Sequence, residues 1–386
     1  MPQGFGGLAD ELQLIKQQNL YRSRRIISTP QGVEVVVDGK ALINFSSNDY
    51  LGLSNHPDVI QSFKQAANKY GVGSGSAHLI CGHSQCHHAL EQELAEFTGR
   101  ERALLFSTGY MANIGVISAL LGRGDQVFQD RLNHASLLDG GLLSGARFKR
   151  YLHNDVDDLA HKIKPIEGRT LIVTDGVFSM DGDIAPVAKL SALAADNNAW
   201  LMVDDAHGLG VLGATGAGVL QQMRLSQQQV PILMGTLGKG FGTFGAFVAG
   251  SKELIETLIQ KARSYVFTTA LPPAVAEATR TSLKLIVTEN WRRDKLNSLI
   301  ARFQSGASQL GLPVMLSSTA IQPMLIGESQ RAIKISEALL NKGFLVTAIR
   351  PPTVPKGEAR LRITFSANHQ EQHVDQLLDA LATIAI

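Results

Sequence analysis

The sequence predicts an α/β protein, a mostly parallel sheet covered by helices and followed by a smaller α+β unit. Two patterns carry that expectation. From about His56 to Leu285, short apolar strands alternate with helical stretches, as in a sheet whose crossovers are helices. Beyond a long helical region, about Pro273 to Leu310, strands near Ile321–Leu325, Phe344–Ile349 and Arg360–Phe365 are expected, and then a closing helix at about Glu371 to Ile384. The expected divisions are 1–55 for an N-terminal helix and hairpin arm, 56–285 for the large domain and 286–386 for the small one. An active site is expected in the cleft between the two domains.

Each element has its own warrant. Leu12, Ile15, Leu20 and Tyr21 have near-helical spacing over Leu8 to Tyr21, and Arg22, Arg24 and Arg25 follow as a basic tail. Glu34 to Val37 and Ala41 to Phe45 flank Asp38-Gly39, the signature of a two-residue hairpin turn. In the large domain the apolar runs Ala103–Phe106, Gln126–Phe128, Thr170–Asp175 and Trp200–Asp204 read as strands. Residues 103 to 121 lack charge over a length that could span a bilayer, but Ser107, Thr108, Gly109 and Asn113 divide them into strand, polar turn and helix.

Composition narrows the function. With 386 residues, 44% of them hydrophobic, the chain has an ordinary globular core, and a net charge of +2 points to neither nucleic acid nor membrane. Cys81 and Cys86, the two cysteines, make no disulfide framework and fit a reducing compartment. The N-terminal MPQGFGGLADELQLIKQQ has no apolar core of the signal-peptide kind, so a cytoplasmic location is expected.

Chemistry concentrates where strands end. Pro231 to Ala249 brings Gly235, Gly238, Gly240, Gly242 and Gly245 around one charged side chain, Lys239, with apolar runs on either side. A lysine there is placed to be partly desolvated, which favours a nucleophilic amine or a Schiff-base former. The plainer account is a glycine-rich hairpin whose lysine points into water. Ser107-Thr108-Gly109-Tyr110 lies between a strand and a helix, where free N–H groups can hold an anion such as phosphate or serve an ordinary cap. Asp204, Asp205 and His207 follow an apolar strand, and His134 sits at a helix start in Asn133-His134-Ala135-Ser136.

Some patterns point elsewhere. Cys81, His83, Cys86, His87 and His88 crowd five soft ligands into eight residues, yet no second cluster lies downstream and a helix follows directly, so no metal is expected. Gly71, Gly73 and Gly75 lack the preceding strand of a dinucleotide fingerprint. Around Lys239 a phosphate-binding Walker loop is excluded by Leu233 and by Gly240.

Together an amine in a glycine turn, a carboxylate with a histidine at a strand end, and an upstream anion turn suit pyridoxal phosphate. The chain resembles the fold-type I pyridoxal-phosphate enzymes, and within them the α-oxoamine synthases. The motifs are FSSNDYLGLS (45–54), GSGSAHLICGHSQCHHALE (73–91), NHASLLDG (133–140), DGVFSMDGD (175–183), VDDAHGLGVLG (203–213), TLGKGFG (236–242) and ARLRITFSANH (359–369). TAIRPPTVPKG (347–357), with SSTAIQP (317–323), resembles the branch that condenses L-alanine with a pimeloyl thioester in biotin synthesis. The thioester is carried on acyl carrier protein or coenzyme A. Sibling enzymes that use glycine are the alternative.

The resemblance implies roles. Lys239 would hold the cofactor and act as the base at the α-carbon, and Asp204 would face the ring nitrogen. His207 and Ser179 would bond the phenolic oxygen, and His134 would stack on the ring. Gly109 and Tyr110 fall at the cofactor turn, and Thr236 would reach the phosphate. Thr268 or Thr269 would reach it from a neighbouring subunit, implying a homodimer with its active site at the subunit interface. For substrate, Arg362 would pair a carboxylate, with Asn48, Thr353 and Arg22 nearby and Arg24 the alternative to Arg22. The basic excess of 20–25 could also face an acidic carrier protein.

Overall fold

Helix α1 (Leu8–Gln17) opens the described chain, and none of its residues is buried. It stops short of the expected Tyr21, because Asn19 turns to a φ of 57°. Strands β1 (Glu34–Val37) and β2 (Lys40–Asn44) form the hairpin read from Asp38-Gly39, whose two turn residues adopt φ values of 48° and 82°. This computed structural model describes residues 5–384; positions 1–4 and 385–386, which end the two terminal segments read above, lie outside the described residues.

Contacts divide the chain into two compact units, one of residues 48–179 and 183–295, the other of 1–47, 180–182 and 296–386. The N-terminal arm therefore belongs with the C-terminal part of the chain.

In the first unit, helices α2 (Pro57–Tyr70) and α3 (Gln85–Thr98) precede β3 (Arg102–Phe106), α4 (Gly109–Leu120), β4 (Gln126–Asp130), α5 (Ala135–Leu143) and β5 (Arg147–Tyr151). Strands β6 (Thr170–Asp175), β7 (Trp200–Asp204), β8 (Ile232–Thr236) and β9 (Ala246–Gly250) complete a seven-stranded sheet in the order β3-β9-β8-β7-β6-β4-β5. Strands β4 to β8 run parallel, while β9 lies antiparallel between β8 and β3. Every residue of β4, β6 and β9 is buried, as strands with both faces covered require. Leu104, Phe106, Val116, Ile117, Met202, Met234 and Val248 pack into one core against α4.

Strand β5, of sequence RFKRY, escaped the sequence reading. It is an edge strand that buries only Tyr151, so it carries charge where the inner strands are apolar. The register sets the site. Asp175 pairs with Asp204, and Asp204 with Met234, so three parallel strands end together, the edge at which open α/β sheets bind ligands.

The second unit holds two three-stranded sheets, β1-β2-β11 and β10-β13-β12, with β10 at Ile321–Gly327, β11 at Phe344–Leu345, β12 at Thr347–Ile349 and β13 at Ala359–Thr364. The single strand expected over Phe344–Ile349 splits: β11 runs parallel to β2, whereas β12 pairs antiparallel with β13. The helical region expected over Pro273 to Leu310 also breaks, into helices Pro273–Thr288 and Trp291–Gln309. The closing helix spans Glu371–Ala382.

Candidate active site

Asp204 ends β7 with its carboxylate buried. Its Oδ2 accepts from Asn113 Nδ2 at 2.7 Å and its Oδ1 from the Ala206 N–H at 3.0 Å. Asn113 also donates to Ser136 Oγ at 2.9 Å, which ties the middle of α4 to the start of α5. Three residues past Asp204, His207 bridges two groups: Nδ1 lies 2.7 Å from the Tyr50 hydroxyl and Nε2 lies 2.8 Å from Lys239 Nζ. The Tyr50 hydroxyl also lies 3.2 Å from Asn48 Oδ1, so Asn48, Tyr50, His207 and Lys239 form one polar chain.

The glycine turn fixes the lysine. Leu237 N–H donates to Gly245 O, Thr243 N–H to Leu237 O and Gly242 N–H to Lys239 O, each at 2.8 Å. A Cβ on Gly240 would stand 2.5 Å from Leu209 O, and Gly242 has a φ of 65° with Ser54 N 2.5 Å from where its Cβ would be. Neither position accepts a side chain. The Thr236 hydroxyl donates to Gly245 O at 3.1 Å and so braces the same turn.

His134 caps α5. Its backbone N–H donates to Asp175 Oδ2 at 2.7 Å, and its Nδ1 lies 2.7 Å from Ser136 Oγ. The Tyr110 ring meets the His134 ring edge-on at 6.3 Å, while its hydroxyl donates to Asp139. Thr108 caps α4 by accepting from Met111 N–H at 3.2 Å, which leaves other first-turn N–H groups for an anion. A Cβ on Gly109 would stand 2.8 Å from Met234 Cε, the end of a flexible side chain that would have to shift.

Electrostatics distinguish the buried acids. Burial, then the neighbouring Asp204 charge, pushes the Asp175 carboxyl well above its ordinary range. On His153, burial opposes the charge, but hydrogen bonds to Asp130 and Asp183 outweigh it and push the imidazole up to about 10. With its nitrogens 3.1 Å from Asp130 Oδ1 and 2.9 Å from Asp183 Oδ2, His153 clamps the end of β4 to the segment that carries Ser179.

Ser179 is half-buried just beyond β6. Thr269 is exposed and bridges Ala77 by backbone pairing, and Thr268 is half-buried beside it. In the other unit, Arg22 Nη2 donates to Thr353 Oγ1 at 3.3 Å, which brings two of the expected substrate residues together, and Arg24 is exposed. A cavity of about 680 Å³ there is lined by Lys16, Arg22, Arg25, Arg350 and Thr353. Arg362 is buried in β13 opposite Pro323 and Thr347.

Sequence reasoning gave Asn113, Tyr50, Asp175, Ser136 and Asp139 no role. The one available sign was a polar residue inside an otherwise apolar helix, at Asn113. The assembled group can present a nucleophilic amine beside an imidazole, a buried carboxylate to a cationic ring atom, and a helix start to an anion.

Residues 40–381 match the family model described as aminotransferase class I and II. An 8-amino-7-oxononanoate synthase of Cellvibrio japonicus is 60% identical over 98% of this chain and 95% of its own. A structure of serine palmitoyltransferase with PLP superimposes with a TM-score of 0.92 at 33% identity, over 98% of this chain and 96% of that one. An 8-amino-7-oxononanoate synthase from Francisella tularensis does so with a TM-score of 0.78 at 32% identity, over 88% and 97%. On this evidence the chain belongs to the aminotransferase class I and II family.

Proposed function

We propose that the chain is a pyridoxal-phosphate enzyme that makes 8-amino-7-oxononanoate by decarboxylative condensation of L-alanine with a pimeloyl thioester, a step of biotin biosynthesis. One observation carries the reading: in a chain 60% identical to such a synthase, Lys239 Nζ lies 2.8 Å from His207 Nε2 in the turn beside Asp204. The residues fit the cofactor. A primary amine suits its aldehyde, the buried Asp204 carboxylate suits a protonated pyridine nitrogen, and the α4 start at Gly109 and Tyr110 suits its phosphate. Bound there, the cofactor supplies an electron sink for a carbanion at the alanine α-carbon.

The chain's own residues do the rest. Lys239 would hold the aldehyde through its amine, and its Nζ would take the α-proton and later return one. His207, braced by Tyr50, orients that amine and, with Ser179, bonds the phenolic oxygen. His134, fixed by Asp175 and Ser136, would cover the ring face. Thr236, and Thr268 or Thr269 from a second copy, complete the phosphate site. Arg362 pairs the alanine carboxylate by its two-pronged guanidinium, and Arg22, Asn48 and Thr353 meet the acyl substrate. In the net reaction the alanine α-carbon bonds to the acyl carbon, the C–S bond breaks to free the carrier thiol, and the carboxylate leaves as carbon dioxide.

The carrier is acyl carrier protein or coenzyme A, and the active unit is a homodimer. Free Cys81 and Cys86 support a reducing, cytoplasmic setting, and among the described residues no helix is long and apolar enough to cross a membrane. The test is product mass from the loaded enzyme with pimeloyl-coenzyme A and with pimeloyl-acyl carrier protein, each with either amino acid. L-Alanine should be preferred to glycine by at least about tenfold in kcat/KM, the usual worth of one methyl group. Preference for glycine would assign the chain to a sibling activity, and no ketone product from either would overturn the proposal.

A further inference from the structure

We propose that His83, His88 and Glu91 form a binding site for a divalent transition metal of the zinc class. The ligand atoms of the three residues lie within 4.8 Å of one another, close enough to converge on one ion. The sequence argued against a metal because no second ligand cluster follows the cysteines and histidines. The fold removes that objection, because α3 adds Glu91 to two histidines already in the cluster. His88 and Glu91 stand three residues apart on one face of the helix, and His83 reaches back to them from the turn just before its Ser84 cap.

Both inner ligands are already oriented by second contacts, as metal ligands generally are. His83 Nδ1 lies 3.0 Å from His78 Nδ1, and this leaves Nε2 facing Glu91 Oε2 at 4.0 Å. Glu91 Oε1 accepts the Leu105 N–H at 3.0 Å, so the carboxylate cannot swing away. The buried carboxylate has one N–H bond, the Arg102 charge in its surroundings and an imidazole 4.0 Å from Oε2, the oxygen at which a cation would add a direct partner. His88, exposed, gives the ion a path from solvent and a place for water as the fourth ligand. Its present contact, Gln92 Nε2 at 3.3 Å, is a weak one that an ion would replace.

The alternative trio of His78, His83 and His87 is less suited. Both His87 nitrogens are engaged, Nδ1 with the Ser84 N–H at 3.0 Å and Nε2 with Leu271 O at 2.6 Å. The ion would pin the turn after His78 to α3. Since His78 stacks on Tyr265 at 5.0 Å, the effect would extend toward the segment that carries Thr268 and Thr269.

The test uses untagged protein loaded with pyridoxal phosphate, freed of metal by chelator dialysis and titrated with Co²⁺, then displaced with Zn²⁺. About one Co²⁺ per chain should give visible d–d absorption of tetrahedral intensity. His88→Ala and Glu91→Gln should each weaken binding by more than about tenfold while keeping the cofactor content, which reports a folded chain. Absence of the cobalt band in the wild type, or a Co²⁺ affinity unchanged by either substitution, overturns the proposal. The readout does not depend on turnover.

Discussion

Asp204 and Asp205 are adjacent, both buried, and differ in what they face. Successive residues leaving a strand face opposite sides, so the two carboxylates enter different surroundings. Asp204 meets Asn113 and the Ala206 N–H at the ligand edge of the sheet. Asp205 turns into the loop that follows, where its Oδ2 accepts the Val219 N–H at 2.7 Å. That loop is built around it: a Cβ on Gly208 or Gly218 would stand 2.1 or 1.9 Å from its carboxyl oxygens. Burial pushes the Asp205 carboxyl well above its ordinary range, and the group holds a turn. The residue type is the same, and orientation sends one carboxyl to the sheet edge where the cofactor is proposed and the other into a turn.

The comparison breaks most sharply at Asp204. Asp204→Asn should cut turnover by about 10²–10⁴-fold while leaving the unfolding midpoint nearly unchanged. Asp205→Ala should do the reverse, costing about 2–4 kcal/mol in denaturant unfolding and lowering activity chiefly through the folded fraction. Asp205→Asn sharpens the contrast. With a raised carboxyl, the folded wild type holds its proton more tightly than the unfolded chain does. Its stability therefore falls as pH rises above the ordinary aspartate range, until the folded carboxyl ionises. Asp205→Asn has no proton to lose and should gain on the wild type over that rise, as paired urea titrations at low and neutral pH would measure. A flat difference would contradict the raised carboxyl.

His153→Gln should cost about 1–3 kcal/mol at neutral pH. Its imidazole ordinarily titrates at 6.5 and here at about 10, so the contribution is whole below about 6.5, shrinks as pH rises and is gone past about 10. Unfolding midpoints of the two proteins should converge at that alkaline end. Smallest is Tyr50→Phe, which removes the hydroxyl from His207 Nδ1 and should lower kcat by up to about tenfold with little change in stability. Steady-state kinetics at saturating alanine would measure it.

The same contrast shows what the sequence could reveal. Buried strands such as β6 and β7 announce themselves because covering both faces demands continuous apolar residues. Lys239, Asp204 and His207 were legible because glycines and strand ends single them out. Which of Asp204 and Asp205 faces the ligand edge was not a matter of spacing, and only the family motif ordered them. The β5 edge strand was hidden by its charges, and the split at Val346 by two short strands sharing one apolar run. The partners of Asn113 and Tyr50, and Glu91 as the companion of His83 and His88, were illegible for another reason: they are brought in by tertiary packing or by a helix turn beginning at Ser84.

Lys239 as the residue that holds the cofactor is tested most directly by borohydride reduction of the loaded enzyme followed by peptide mapping. A pyridoxyl group should appear on the peptide that contains Lys239 and vanish in Lys239→Ala, together with turnover. A label on another lysine, or undiminished turnover in Lys239→Ala, would contradict it.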